Sequence, residues 1–146
     1  MQISHQLMYA GHLLHGRLRR QLGPNGVHRG QGRILAILAS RGTLSQTEIA
    51  DSFHRRGATI TQMIRRLEEQ GLINRIADPE DARARQVSLT AAGRRAAQLV
   101  ERTWNEIEER ISSALSENQC KQLAHLLHLV LTELAGEPAG TTNGEK

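Results

Sequence analysis

Apolar residues recur at helical spacing over most of this 146-residue chain. Ile3, Leu7, Gly11, Leu14, Leu18 and Leu22 stand four, four, three, four and four apart, which predicts an amphipathic helix over 3–22. Gly23-Pro24-Asn25-Gly26 ends it. The segment QGRILAILA, residues 31–39, predicts a second helix that breaks at Arg41-Gly42. Ser45 precedes Glu48 by three, a capping box that opens a short helix from about Gln46 to Ser52 with Ile49 and Ala50 inward. Phe53–Arg56 reads as a turn. A further helix follows from about Gly57 to Gln70, where Ile60, Met63, Ile64 and Leu67 form one apolar stripe. Its other face carries Thr59, Gln62, Arg65, Arg66 and Glu69, and Gly71 suits a left-handed helix end.

The period then changes from 3.6 to two. Leu72, Ile73 and Ile76 predict a short strand, and Val87 and Leu89 alternating with Gln86 and Ser88 predict a second, half-buried one. Between them lies Asp78-Pro79-Glu80-Asp81-Ala82-Arg83-Ala84-Arg85, a proline-initiated turn with two arginines at a hairpin tip. From Ala91 helical spacing resumes to about Ala114, with Leu99, Val100, Trp104, Ile107 and Ile111 on one side. A last helix, about Glu117 to Ala135, follows a second capping box (Ser116 and Gln119) and carries Leu123, Leu126, Leu127, Val130, Leu131 and Leu134. Those leucines occupy more than one stripe, so this helix should bury against its own chain and a second copy. Residues 137–146 hold no apolar anchor and are expected to be disordered.

The pattern predicts a mainly α fold with a small β-hairpin wing, a winged helix-turn-helix with N- and C-terminal dimerisation helices. Residues 1–29 form the N-terminal dimerisation helix and loop, 30–90 the DNA-binding lobe, 91–136 the C-terminal dimerisation helices, and 137–146 the tail. Charge changes the picture in one respect. Residues 1–99 hold 15 Arg against 7 acidic residues (+8), whereas residues 100–146 hold 4 basic against 8 acidic (−4), giving the net +4. A basic body places positive charge where phosphates would lie. The single cysteine excludes an internal disulfide framework. No signal peptide or long apolar run is visible, which reads as a cytoplasmic protein without membrane association.

The stretch from Gly32 to Arg94 resembles the MarR family of transcriptional regulators. LSQTEIAD, TITQMIRRLEEQGLINR and DPEDARARQVSLTAAG carry the resemblance, the last most specifically: an Asp-Pro-x-Asp-x-Arg wing, a strand ending Leu-Thr, then x-x-Gly. The resemblance implies a homodimer on a pseudo-palindromic operator in double-stranded DNA, a helix of each copy in a major groove, and the wing arginine in the minor groove. Several positions depart from the family pattern. Arg55 stands where an apolar residue is usual, Arg56 where Ser or Thr caps, Gly57 and Ala58 where Arg and Ser are frequent, and Ala82 where a second wing arginine is common.

The residues and the resemblance together point to a DNA-binding regulator, a repressor released by a small-molecule, metal or redox signal. Thr59, Thr61 and Gln62 are the candidates for base contact, since threonine can meet a thymine methyl and glutamine an adenine edge. Arg55, Arg56 and Arg65 would reach phosphates or flanking bases. Arg83, held by Asp81 and assisted by Arg85, would enter the minor groove. The rival reading is a winged-helix protein-interaction module with weak or lost DNA affinity, and Gly57 and Ala58 keep it open.

Three signals are open. Tyr9, His12, Arg17, His28 and Trp104 could line a site for a small organic effector. The pairs His12/His15 and His125/His128 could ligate a transition metal. Cys120, in the first turn of the last helix beside Lys121, could sense oxidants or be a small buried hydrophobe. No resident cofactor is required. An enzyme has no support: there is no Gly-rich phosphate loop, no His-Glu-x-x-His and no Gly-x-Ser-x-Gly.

Overall fold

In the computed structural model, which describes residues 2–53, 57–81 and 84–135, helices and short strands follow one another in the order the sequence periods dictate. Helix α1 spans Ile3–Leu22 and is closed by a single 3-10 turn over Gly23–Asn25. Helix α2 spans Arg29–Arg41, strand β1 Leu44–Ser45, helix α3 Gln46–Asp51 and helix α4 Gly57–Glu69. Strands β2 and β3 span Ile73–Ala77 and Arg85–Leu89, and helices α5 and α6 span Ala91–Ser112 and Glu117–Ala135. Contacts divide the chain into two compact units, residues 1–106 and 107–146, and the division falls within α5. His54, Arg55, Arg56, Ala82, Arg83 and the segment 136–146 lie outside the described residues.

The first unit is built around the apolar stripe of α4. Ile60, Ile64 and Leu67 are fully buried and Met63 half-buried; each fully buried aliphatic contributes roughly 1.5–3 kcal/mol relative to exposure. Ile34, Leu35 and Leu38 of α2, Ile49 of α3, and Leu18 and Leu22 of α1 complete this core. α2 lies close to α5: a methyl on Gly32 would sit 3.3 Å from Val100. The ends of the elements are tied by polar bonds. Gln31, 97% buried, donates its amide to Gln70 Oε1, and Gln70 Nε2 donates to the Gly26 carbonyl. This pair joins the start of α2, the 3-10 turn and the end of α4.

Among the described residues the strands form one antiparallel sheet in the order β1-β3-β2. The β2–β3 pairing runs from Ile73↔Leu89 to Ala77↔Arg85, so residues 78–84 are the hairpin loop. Strand β1 adds Leu44↔Val87 and Ser45↔Gln86. The hydrophobic pattern does not announce β1, since two residues carry no period. Both capping boxes form as expected. Ser45 Oγ accepts from Glu48 N–H at 3.1 Å while Glu48 Oε2 accepts from Ser45 N–H at 2.7 Å. Ser116 and Gln119 repeat the arrangement at α6.

Helix α5 turns inward the face that carries Val100 and Ile107, and small residues complete it. Gly93, Ala97, Val100, Thr103 and Ile107 are buried, a run spaced four, three, three and four. Trp104 and Ile111 continue that face at helical spacing, yet are 44% and 37% exposed. Thr103 is accommodated there by donating its hydroxyl to the Leu99 carbonyl. Large apolar residues also remain exposed on α1 (Ile3, Met8, Tyr9, Leu13) and on α6 (Leu126, Leu129, Leu131, Leu134). No helix among the described residues is long and apolar enough to cross a membrane.

Candidate nucleic-acid interface

The outward face of α4 is polar because its inward face consumes the apolar residues. Thr59, Thr61, Gln62, Arg65, Arg66 and Glu69 are exposed on it. Thr61 Oγ1 accepts from Gln46 Nε2, the first residue of α3, at 2.8 Å. Arg65 pairs with Glu69 at 3.0 Å, but both side chains are more than 60% exposed. Such a pair contributes little and can give way to a phosphate. Arg55 and Arg56 lie outside the described residues, as does Arg83. Several other arginines are engaged within the fold. Arg33 stacks 4.6 Å over the Phe53 ring and donates to the Ser52 carbonyl, and Arg41 donates to Ser52 Oγ. They hold the chain leaving α3.

The hairpin is organised by Asp78, which sequence reasoning did not single out. Its carboxylate accepts from Gln86 Nε2 at 2.6 Å and from Glu80 N–H at 2.8 Å. Its N–H donates to the Ala84 carbonyl, and Ala84 N–H donates to the Asp81 carbonyl. The available signal was Asp directly before Pro, since an aspartate readily hydrogen-bonds the backbone two residues on. Arg85 is exposed on β3, and Asp81 is exposed in the loop. Glu68 of α4 accepts from Arg75 Nε of β2 at 2.8 Å, tying helix to wing.

The motif Leu-Thr-x-x-Gly has a local explanation. Thr90 Oγ1 donates to the Gly71 carbonyl at 2.7 Å and accepts from Gly93 N–H at 2.9 Å, capping α5. Thr90 N–H donates to the Leu72 carbonyl. Gly71 has φ +70°, the left-handed conformation that ends α4 and turns the chain into β2.

Three carboxylates are held below the ordinary range. Ser45 lowers Glu48, first through its N–H and then through its hydroxyl. The Arg75 guanidinium lowers Glu68. The Gln86 amide and then the Glu80 N–H lower Asp78. Because these folded-state values lie below the unfolded ones, the ionised forms stabilise the fold above roughly pH 4.3, and this is lost as pH falls through the lowered values. All three are at the surface, so the effect is modest. The thermal midpoint is therefore expected to hold from pH 7 to about 5 and decline below. Asp78→Asn, which removes one titration, should decline less, and an equal decline in both proteins would contradict the role given to Asp78.

Of the candidates for an organic effector, His28 and Trp104 line different clefts. Tyr9, His12 and His15 are exposed and Arg17 half-buried on α1. His15 and His28 line one small cleft of about 190 Å³ with Arg19. Trp104 lines another of about 390 Å³ between α2 and α5, with Ala36, Ser40 and Val100. A third, of about 410 Å³, shares Ala39, Ala97 and Glu101 with it and reaches Ser88 and Arg94. Among the described residues no three metal-capable side chains cluster. Cys120 is half-buried in α6, where His125 and His128 also lie.

Comparison with known proteins bears on this geometry directly. The MarR family profile matches residues 27–84, the segment from the start of α2 to the wing. The HTH-type transcriptional regulator FarR of Neisseria gonorrhoeae is 30% identical over 129 residues, covering 88% of this chain and 86% of FarR. The chain belongs to the MarR family. The family is one of transcriptional regulators, not of enzymes. The HTH-type transcriptional repressor IacR of Pseudomonas putida is 31% identical over 102 residues, 70% of this chain, and the match spans 61% of IacR's length. The solved MepR–DNA complex of S. aureus superposes with a TM-score of 0.82 at 26% identity, covering 90% of this chain and 97% of MepR. The MarR-family fold thus accounts for the small three-stranded sheet and the helix pair α3–α4.

Proposed function

We propose that this MarR-family protein is a homodimeric, sequence-directed binder of double-stranded DNA that acts as a repressor at a pseudo-palindromic operator. One observation carries the reading: α4 buries Ile60, Ile64 and Leu67 completely and thereby presents Thr59, Thr61, Gln62 and Arg65 outward, beside a hairpin whose strand β3 exposes Arg85. Thr59, Thr61 and Gln62 read bases in the major groove. Arg55, Arg56 and Arg65 neutralise phosphates or reach flanking bases. Arg83, held by Asp81 and assisted by Arg85, reaches the minor groove from the wing. That MepR is solved bound to DNA on a closely similar backbone supports the same use here.

The dimer is supported by the apolar side chains left open on α1 and α6, far more than a solvated surface needs. Two copies related by a twofold axis can set two recognition helices about 34 Å apart, one turn of the duplex. Release by a small organic ligand is the signal with most support, because the adjoining clefts between α2 and α5, about 390 and 410 Å³, fall within the usual size of ligand sites.

Selection of the full-length protein against a randomised duplex library, followed by hydroxyl-radical footprinting of the winner, tests this. The expected result is an inverted repeat protected in two patches about 10 base pairs apart on one face. Enrichment of no sequence would reject the reading.

A further inference from the structure

The hydrogen bond between α3 and α4 leaves part of a side chain unexplained. Gln46 is the first residue of α3, and its position is fixed from both sides. Ser45, immediately before it, is locked by the capping box with Glu48. Ser45 is also paired in the sheet with Gln86, whose amide is bound to Asp78 at the base of the wing. From this fixed point the Gln46 side chain crosses to α4 and donates one N–H to Thr61 Oγ1 at 2.8 Å. A glutamine amide has two N–H donors and a carbonyl oxygen with two lone pairs. The bond to Thr61 uses one donor. Among the described residues, the Gln46 side chain makes no other hydrogen bond, and it is only half-buried.

We infer that Gln46, although it lies outside the recognition helix, is a specificity-determining residue that reads one base pair of each half-site together with Thr61. The inference rests on the reading that the outward face of α4 enters the major groove. Given that placement, the bond to Thr61 draws the Gln46 amide to the same face. Its free N–H and carbonyl edge is the group that pairs bidentately with adenine N6 and N7. The partner class is therefore an A·T pair of duplex DNA, read in the major groove. Thr61 acts as the positioning residue: its oxygen holds the amide in one rotamer and lowers the entropy lost on binding. The helix pair then reads bases with two elements, and the weak side chains at Gly57 and Ala58 are offset by one supplied from α3.

The test is parallel selection from one randomised duplex library with wild type, Gln46→Ala, Gln46→Glu and Thr61→Val, each checked for dimer mass and thermal midpoint. Wild type is expected to require an A·T pair at one position of each half-site. Gln46→Ala should lose that preference about tenfold or more while the remaining positions and the salt slope stay as they were. Gln46→Glu should move the preference towards C·G, since a carboxylate accepts from cytosine N4. Thr61→Val, close in shape but without the hydroxyl, should weaken the same position. If Gln46→Ala and Gln46→Glu select the wild-type site with unchanged base frequencies, the inference is overturned, whatever uniform loss of affinity accompanies it. If wild type itself selects no sequence, the groove placement fails first and this inference with it.

Discussion

Gly93→Ala is expected to be the most damaging added methyl among the described glycines. A β-carbon at position 93 would overlap the carbonyl oxygen of Leu72 and crowd the Leu89 side chain. The obstacle is backbone that is itself engaged, since Leu72 O accepts from Thr90 N–H. Neither side can yield without opening the junction where α4, β2 and α5 meet. The cost is about 3 kcal/mol, the upper end for overpacking, which corresponds to a fall of roughly 6–12 °C in thermal midpoint. Thermal denaturation followed by circular dichroism reads it directly. A midpoint within about 2 °C of wild type, less than the shift expected of 1 kcal/mol, would show that the junction is looser than this packing implies.

Arg83→Ala is expected to reduce affinity for the selected operator by about 10- to 100-fold while leaving dimer mass and thermal midpoint unchanged. The strand register makes residues 78–84 the hairpin loop, and the Asp78 bonds to Gln86 and Glu80 make its base rigid. A cation at such a tip gains most in a narrow minor groove, where the negative potential is strongest. The loss should therefore be larger on the selected operator than on scrambled DNA. Unaltered operator affinity would remove Arg83 from the interface and leave the wing a structural hairpin.

How much of this was legible in the sequence depended on period and on punctuation. The helices α1, α4 and α6 each had a stripe long enough to define them, and Gly71 and the two capping boxes marked where elements begin and end. The hairpin was legible because short apolar runs on either side of Asp-Pro, the second with a period of two, have few other meanings. Strand β1 escaped because its two residues are joined to the sheet by register alone. On α5 the pattern shows the face but not how much of it is covered: Gly93, Ala97 and Thr103 are buried, whereas Trp104 and Ile111 on the same face are exposed. The polar ties at Gln31–Gln70, Gln46–Thr61 and Asp78–Gln86 link residues 39, 15 and 8 apart, and nothing local announces two of the three. Asp78 alone had a local sign. The candidate effector residues illustrate the opposite problem: His28 and Trp104 each suit a ligand chemically, yet they line different clefts.

The central claim is sequence-directed DNA binding through α4 and the wing, and one titration tests it most directly. Fluorescence anisotropy with the selected duplex and a scrambled duplex of equal composition, at about 50 and about 200 mM salt, measures selectivity and phosphate neutralisation together. The account predicts binding to the selected duplex at least about 1,000-fold tighter than to the scrambled one, with affinity for both falling steeply as salt rises. Weak binding, equal on the two duplexes and indifferent to salt, would contradict it.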